Sequence, residues 1–589
     1  MTQAIRNWLW SIGRTAALAC CVSAPVGCAM FATPAFAALD DDPLSLAAET
    51  VLSGVAAPDV AAIARRLTDD DARVADRRVD LEGLRRFYAG RGFAPVWLKP
   101  AGAGGAPFVP AAAATLRVLE DAAKEGLVPA AYHVDSLNAL AADGASADDR
   151  LSMEMLLTDG LLRYARDLRA GRTAPRRISR DIQVSPPSVN AADVVRRTAE
   201  SDQSAAVLAA LAPANPTYRG LRDALATLRR TEQAGGWPAV PALKGKTKLE
   251  PGGSDPALPA LRDRLAASGD YHGPRGKSQV YDAPLRTAVA RFQTRHGLEP
   301  DGVVGPGLLA EINVPVDVRI AQVEVNMERA RWLPDDLGAR YVWVNAPEFK
   351  LTAVDGGAPA FSMKVVVGAK PRRTPVLVSS ISSVVLNPTW TMPPRLAKED
   401  YLPKLQKNPG YLAENGFSVY PNWSAGAKPL DARKINWKAM SPATMSHLKL
   451  RQDPGPKNAL GQIKFNIAND FDVYLHDTPS RDKFARSMRA LSSGCVRLAE
   501  PMTLANFVFA EMPEWGAEQR KSALDSKKTK YVTLNQSIPV YILYQTAWVA
   551  ADGALHFRPD IYERDAETLT ALAKSGPAGG AIRTAMNAR

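Results

Sequence analysis

A histidine and a cysteine stand at a spacing that suits nucleophilic catalysis. His476 ends a predicted strand, and nineteen residues later the run Ser492-Ser493-Gly494 leads into Cys495. The thiolate is the attacking form of cysteine, and a neighbouring imidazole generates it at neutral pH. A Ser-Ser-Gly run favours a tight turn that presents the thiol and adjacent backbone N–H groups to a ligand. The pattern therefore predicts Cys495 as nucleophile and His476 as general base and acid.

Residues near this pair are candidates for binding a substrate. Arg497 follows Cys495 by two residues, where a cation either favours the thiolate or holds a carboxylate. Trp390 and Tyr474 suit the walls of a peptide groove, and either is equally suited to a core. Ser493 is assigned to turn shape and hydrogen bonding beside the ligand. The sequence has no His/Cys cluster at metal-ligand spacing and no Gly-rich phosphate loop, so we predict neither a metal nor an organic cofactor.

The N-terminal segment contains all the cysteines except Cys495. Three of the four cysteines lie within the first thirty residues, in a segment with the basic start, apolar stretch and small-x-small site of a secretory signal. We predict removal of residues 1–37 and export to the periplasm, with association at the inner membrane or cell wall. A membrane anchor and a lipoprotein site at Cys20 or Cys28 are weaker alternatives. A lone thiol in an oxidising compartment invites wrong disulfides, so a catalytic role explains Cys495 better than core packing does.

Length and charge limit the function classes. A chain of 589 residues, 46% of them hydrophobic, predicts three or four domains of about 150 residues and is not wholly disordered. Lys and Arg outnumber Asp and Glu by 73 to 61. No aromatic-and-basic recognition motif is present, so nucleic acid is not a predicted partner. A solvated basic surface and attraction to a carboxylate-rich polymer outside the cytoplasm both fit the excess.

Hydrophobic periodicity predicts a multidomain α+β fold, because it changes from helical to alternating near residue 341. The predicted segments are a signal peptide at 1–37, a helical scaffold domain at 38–234, a linker at 235–254, a three-helix module at 255–313, a connecting helix at 314–340, a mostly antiparallel β domain at 341–555 and a C-terminal tail at 556–589. A Lys-rich insertion, 396–454, interrupts the β domain. We interpret it as a lid over the site, with a decorative subdomain as the alternative.

Several groups of residues resemble known families. The stretch 292–298, with Asp301-Gly302, resembles the three-helix peptidoglycan-binding module. His476 together with Ser-x-Gly-Cys-Val-Arg at 492–497 resembles the active-site signature of the L,D-transpeptidases, whose catalytic domain is of the YkuD type. Further motifs resemble the large periplasmic branch of that family, and they lie at 325–332, 367–375, 387–390, 454–461 and 556–562.

The resemblance implies a peptidoglycan L,D-transpeptidase that forms 3→3 cross-links through a cysteinyl thioester. The thiol of Cys495 would attack the third residue of a donor tetrapeptide, D-Ala would leave, and the side-chain amine of an acceptor stem would resolve the thioester. Backbone N–H groups at Gly494 and Cys495 would bind the oxyanion. Many relatives carry Gly after the histidine, where a carbonyl orients the imidazole. Asp477 stands there in this chain, and its carbonyl is expected to do the same, while Arg497 either holds a stem carboxylate or braces the loop.

The resemblance also implies partners. They are peptidoglycan stem peptides as donor and acceptor, glycan synthases, D,D-carboxypeptidases that would supply tetrapeptides, and carbapenem β-lactams that acylate Cys495. Two other reactions of the same acyl-enzyme stay open: hydrolysis, which makes an L,D-carboxypeptidase, and transfer to a lysine, which attaches a protein to the wall. A non-catalytic wall-binding scaffold is the alternative from another class, and the intact pair of Cys495 and His476 argues against it.

Overall fold

The structure is a computed structural model that describes residues 58–68, 73–99, 106–141 and 145–576. The predicted signal peptide and the last thirteen residues lie outside the described residues. Within the described part of the chain, every helix is too short or too polar to span a bilayer. The chain divides into two units, Met1–Ala123 with Leu127–Asp167 and Val189–Ala212, and Lys124–Gly126 with Leu168–Ser188 and Pro213–Arg589.

The helices and strands follow the predicted change of periodicity, and the multidomain α+β class is confirmed. In chain order the helices are α1 Pro58–Thr68, α2 Leu81–Ala89, α3 Pro110–Glu120, α4 Val134–Leu140, α5 Ala147–Ala170, α6 Pro175–Ile178, α7 Ala191–Glu200, α8 Ser204–Ala209, α9 Pro216–Gln233, α10 Leu258–Ala267, α11 Ala283–Arg295, α12 Pro306–Ile312, α13 Val316–Ala330, α14 Pro394–Leu396, α15 Leu402–Lys407, α16 Tyr411–Glu414, α17 Pro442–His447, α18 Pro501–Val508, α19 Ala517–Asp525 and α20 Arg564–Lys574. The strands are β1 Arg73–Val74, β2 Arg77–Arg78, β3 Ile182–Gln183, β4 Arg340–Asn345, β5 Lys350–Asp355, β6 Ala358–Gly368, β7 Val376–Leu386, β8 Trp390–Thr391, β9 Phe417–Tyr420, β10 Lys449–Gln452, β11 Ile463–Ile467, β12 Leu475–His476, β13 Ala490–Ser492, β14 Val496–Leu498, β15 Lys530–Leu543, β16 Ala547–Val549 and β17 Leu555–Phe557.

The first unit is helical and is built around α5. This helix buries an apolar face, on which Leu156, Leu157 and Leu161 are 0% exposed. His133 donates to or accepts from Asp159 Oδ2 at 2.7 Å, so this histidine has a protein partner and no metal cluster is found near it among the described residues.

The large sheet of the second unit closes on itself. Its strand order is β11-β12-β14-β6-β5-β4-β15-β7, and β7 pairs again with β11. Most neighbours are antiparallel, while β12 with β14 and β4 with β15 are parallel. Val and Ile at alternate positions point into a common core with 0 to 8% exposure, which leaves the other face of β11, β12 and β14 for a site.

The insertion folds around a small core of its own. β8, β10 and β9 form a separate three-stranded antiparallel sheet, and the apolar residues Leu405, Val419, Trp437 and Leu450 are buried between it and the short helices α15 to α17. Trp390 belongs to this core at 8% exposure. The insertion is therefore a packed subdomain.

Two segments without predicted structure pack against their neighbours. The region 235–254 has neither helix nor strand, yet Val240 and Leu249 are buried in the core of the three-helix module formed by α10, α11 and α12. The region 556–576 contains α20, where Asp565 pairs with Arg329 of α13 at 2.6 Å. The contacts of 235–254 are not predicted from the sequence because buried side chains in an irregular segment have no periodicity.

Candidate active site

A cleft of about 940 Å³ contains most of the predicted site residues. It is lined by the loop before β14, by β12, by the turn 370–373 and by the insertion. Seven of the eight predicted site residues line it, namely Trp390, Tyr474, His476, Ser493, Gly494, Cys495 and Arg497. The eighth, Asp477, contacts His476 from outside the lining.

Strand register brings the reactive residues onto one face. Lys464 of β11 lies directly opposite His476 in the antiparallel pair, and His476 lies opposite Arg497 in the parallel pair with β14. Directly paired residues point to the same side of a sheet. The imidazole therefore lies between two cations, with Cys495 two residues before Arg497 on the same side.

His476 is held as a neutral base. Its Nδ1 donates to the carbonyl oxygen of Asp477 at 2.5 Å, which assigns the proton to Nδ1 and leaves Nε2 as the basic nitrogen. Burial lowers the pKa of His476 to about 3, and the charges of Arg497 and Lys464 act in the same direction. The imidazolium is unfavourable there because a third cation would be placed between two others.

Cys495 is held as a neutral thiol. Its Sγ lies 3.7 Å from the carbonyl oxygen of Asp472. Burial raises the pKa of the Cys495 thiol, against the opposing effects of hydrogen bonds from Tyr474 and the charges of Lys464 and Arg497. The resting pair is thus thiol and imidazole, and the cation at Arg497 does not suffice to produce a thiolate.

The loop that carries the thiol is fixed by its own hydrogen bonds. Ser492 Oγ donates to the Cys495 carbonyl at 2.6 Å and accepts from the Gly494 N–H at 3.1 Å. Gly494 has φ +121°, a conformation that side chains with a Cβ rarely adopt. The Gly494 N–H therefore has a partner within its own loop, whereas the Cys495 N–H forms no hydrogen bond with a described residue. Oxyanion binding by the Gly494 N–H stays a prediction.

Thr374 ties this loop to β6. Its hydroxyl donates to the Gly494 carbonyl at 2.7 Å and accepts from the Gly368 N–H at 2.8 Å, and both contacts are buried.

In Thr374→Val two buried backbone groups lose their partner, at a cost of about 1 to 3 kcal/mol each. We expect a lower midpoint of urea denaturation, measured by tryptophan fluorescence. Thr374→Ser keeps the hydroxyl and should stay close to wild type; equal midpoints for Val and wild type would contradict the assignment.

The Asp477 carboxylate braces a turn. It accepts from the backbone N–H of Gln462 at 2.8 Å and of Thr478 at 2.7 Å, and it pairs with Arg481 at 2.5 Å. A Cβ on Gly461 would overlap this side chain, so the glycine is needed for the close approach. The carbonyl of Asp477, and not its carboxylate, contacts the imidazole.

The remaining predicted residues differ in their contacts. Ser493 Oγ accepts from Arg372 at 2.9 Å. The Nε of Arg497 is buried and has no hydrogen-bond partner among the described residues. The Tyr474 phenol contacts both Cys495 and Trp390, and burial raises its pKa well above the ordinary value. Trp390 and Tyr474 therefore line the wall of the cleft and also pack in the core of the insertion.

Lys464 is a residue that sequence reasoning missed. Its Nζ lies 4.1 Å from the centre of the Tyr474 ring, and burial lowers its pKa while Cys495 raises it. The alternation of Ile463 to Ile467 places Lys464 opposite the core, and that signal was readable. Its pairing with His476 was not readable, because register between distant strands is set by the whole sheet.

The neutral resting pair predicts how Cys495 reacts with iodoacetamide, which consumes thiolate. Because the thiol pKa is raised, we expect the alkylation rate to increase about tenfold per pH unit from pH 7 to 9. Lys464→Met removes a stabilising charge and should slow alkylation about fivefold, and Lys464→Arg should not. A rate that is constant across this range would indicate a preformed thiolate and contradict the interpretation.

Comparisons with known proteins follow the same division of the chain. Family models match at residues 82–225 ("Scaffold domain"), 254–312 ("Putative peptidoglycan binding domain") and 339–513 ("L,D-transpeptidase catalytic domain"). A Haemophilus influenzae protein described as "Putative L,D-transpeptidase" is 37% identical over 244 residues, which are 41% of this chain and 48% of that protein. The chain thus spans about half the length of this curated relative.

Two solved structures are also similar in part. One is an L,D-transpeptidase from Xylanimonas cellulosilytica, 14% identical, covering 51% of this chain and 100% of that one, with a TM-score of 0.16. The other is an L,D-transpeptidase from Stackebrandtia nassauensis, 14% identical, covering 52% of this chain and 96% of that one, with a TM-score of 0.20.

Proposed function

We propose that the protein joins peptidoglycan stem peptides by 3→3 cross-links through a thioester on Cys495, a proposal supported by the match of residues 339–513 to the L,D-transpeptidase catalytic domain. The observation that carries the proposal is the single face on which His476 and Cys495 line the cleft, with a basic Nε2 on the imidazole. The peptidoglycan-binding domain at 254–312 supports peptidoglycan as substrate.

Acylation begins with a proton transfer. Cys495 Sγ attacks the carbonyl carbon of the third stem residue while its proton passes to Nε2 of His476. The Cys495 N–H, which has no partner among the described residues, is the donor available to the oxyanion. The resulting imidazolium lies between Lys464 and Arg497, so it is a strong acid and readily protonates the leaving amine of D-Ala.

Deacylation reverses the proton path. The neutral side-chain amine of an acceptor stem attacks the thioester carbonyl, and the C–S bond breaks. His476 accepts the proton that the amine loses and passes it to the thiolate of Cys495. The products are the 3→3 amide and the enzyme with its neutral thiol and imidazole.

The test incubates the purified full chain with disaccharide-tetrapeptide and identifies products by mass spectrometry. Dimers linked 3→3 with release of D-Ala are expected. Tripeptide without dimer would replace the proposal with an L,D-carboxypeptidase, and a stem attached to a lysine of a supplied protein would replace it with wall attachment. Absence of any product would leave a wall-binding scaffold.

The proposal extends to location and inhibition. We propose that residues 1–37 direct export to the periplasm, where stem peptides, glycan synthases and D,D-carboxypeptidases are available. We also propose that a carbapenem acylates Cys495, since the same thiol would open its strained ring. Intact-mass measurement and peptide mapping would locate the adduct.

A further inference from the structure

The cations that line the cleft fall into two groups. Among the described lining residues are seven Lys and Arg against three Asp, and the cations are Arg372, Arg373, Arg395, Lys404, Lys457, Lys483 and Arg497. Three of the arginines have carboxylate partners, at Asp400, Glu567 and Glu399. Lys457 donates to the Glu414 carbonyl at 2.8 Å.

The second group has no such partner. Lys404, Lys483 and Arg497 make no salt bridge with any residue in the described ranges, although their neighbours in the same cleft do. The buried Nε of Arg497 is also without a hydrogen bond there. A buried donor without an acceptor, such as the Arg497 Nε, is unfavourable, and the half-buried Lys483 and the exposed Lys404 add positive charge to the same cleft. The three groups together therefore provide affinity for an anion that enters the cleft.

The three side chains come from separate elements and lie near one another. Lys404 is on α15 of the insertion, Lys483 is in the turn 481–485, and Arg497 is on β14. The charges of Arg497 and Lys404 both act on Lys483, whose pKa is lowered chiefly by burial. Lys404 Nζ lies 4.6 Å from the centre of the Tyr401 ring, which holds it at the cleft by a cation–π contact.

We propose that Lys404, Lys483 and Arg497 form a carboxylate subsite that binds a free carboxylate of the donor stem. This inference rests on the proposed function, because it names which part of that substrate the insertion and the catalytic loop hold together. A planar guanidinium beside two ammonium groups matches a carboxylate in charge and geometry.

Arg497 lies two residues beyond Cys495, beside the reacting thiol. We assign the terminal carboxylate to this subsite, because a single residue fixes its distance from the reacting carbonyl. In the donor, the terminal carboxylate follows the scissile amide by one residue, or about 3.8 Å. The side-chain carboxylate of the third residue has the same chemistry, and the peptides below distinguish the two sources.

The test measures binding to the unreactive full chain with Cys495→Ala, so that no turnover is needed. Three peptides are titrated calorimetrically: the tetrapeptide, its C-terminal amide, and the tetrapeptide with an amidated side-chain carboxylate on the third residue. We expect the C-terminal amide to bind about tenfold more weakly, equivalent to about 1.4 kcal/mol, and the side-chain amide to bind like the parent. The reverse order would assign the subsite to the side-chain carboxylate.

Variants test whether this difference in peptide affinity depends on the two lysines of the subsite. Lys483→Met should weaken binding of the free acid about tenfold and Lys404→Met, which is more exposed, about fivefold, with no further effect on the C-terminal amide. Lys483→Arg should retain the affinity. Lys457→Met is the matched control, since that lysine lines the same cleft but is bound to a backbone carbonyl.

Two results would overturn the subsite. One is equal affinity of the Cys495→Ala protein for all three peptides. The other is that Lys404→Met and Lys483→Met weaken binding of all three peptides equally, which would indicate only a general electrostatic attraction. Failure of the 3→3 assay with this carboxylate dependence intact would count against the proposed function and not against the subsite.

Discussion

Cys495→Ala is expected to abolish both D-Ala release and dimer formation, with kcat at least about 10⁴-fold lower than wild type. The reason is that no other thiol occurs among the described residues, and the nearby Ser492 hydroxyl is occupied by the Cys495 carbonyl and the Gly494 N–H. Products are quantified by mass spectrometry after incubation with disaccharide-tetrapeptide.

A matched variant separates chemistry from folding. Cys495→Ser keeps the size of the side chain and should retain the wild-type thermal midpoint while losing nearly all activity, because an alcohol is a far weaker nucleophile toward an amide without a stronger base. A carbapenem should add to the wild type and to neither variant. Dimer formed at a comparable rate by Cys495→Ala would remove Cys495 from the mechanism.

His476→Asn is expected to lower kcat about 10³-fold, since the thiol then has no proton acceptor and D-Ala has no proton donor. In the wild type the pKa of His476 is about 3, so the imidazole is neutral at every pH above about 4. The thiol pKa is raised, so the thiol keeps its proton up to high pH. The reactive neutral pair therefore dominates, and kcat/KM should be independent of pH between about 5 and 8.

The pH profile gives the contradicting result. A histidine with its ordinary pKa of about 6.5 would protonate as pH falls, and activity would drop about tenfold per unit below pH 6. Such an acid limb in the wild type would mean that burial, together with the charges of Arg497 and Lys464, does not lower the pKa of His476 as expected. His447→Asn, in an exposed position at the end of α17, is the control and should leave kcat unchanged.

Local patterns agree with many elements and differ from the structure where packing decides. The alternation of buried and half-buried residues from Ile463 to Ile467 has the bounds of β11. The β-branched and aromatic run 341–354 is continuous in sequence, but it contributes to two strands, β4 and β5, which are separated by a short turn in which Phe349 has φ +56°. A positive φ at a phenylalanine is not typical of any sequence pattern, and it persists because the paired strands on both sides hold it.

Sequence alone determined the residue types on which the proposed chemistry rests, namely the thiol, the imidazole and the Ser-Ser-Gly run before Cys495. The turn that this run favours depends on residue types within a few positions of each other, and local conformation follows from them. Tertiary structure alone decided two further points. It placed His476 between Lys464 and Arg497, and it brought Lys404 and Lys483 to the cleft. Each depends on strand register or on packing between segments far apart in the chain, which the closed sheet and the insertion core set cooperatively.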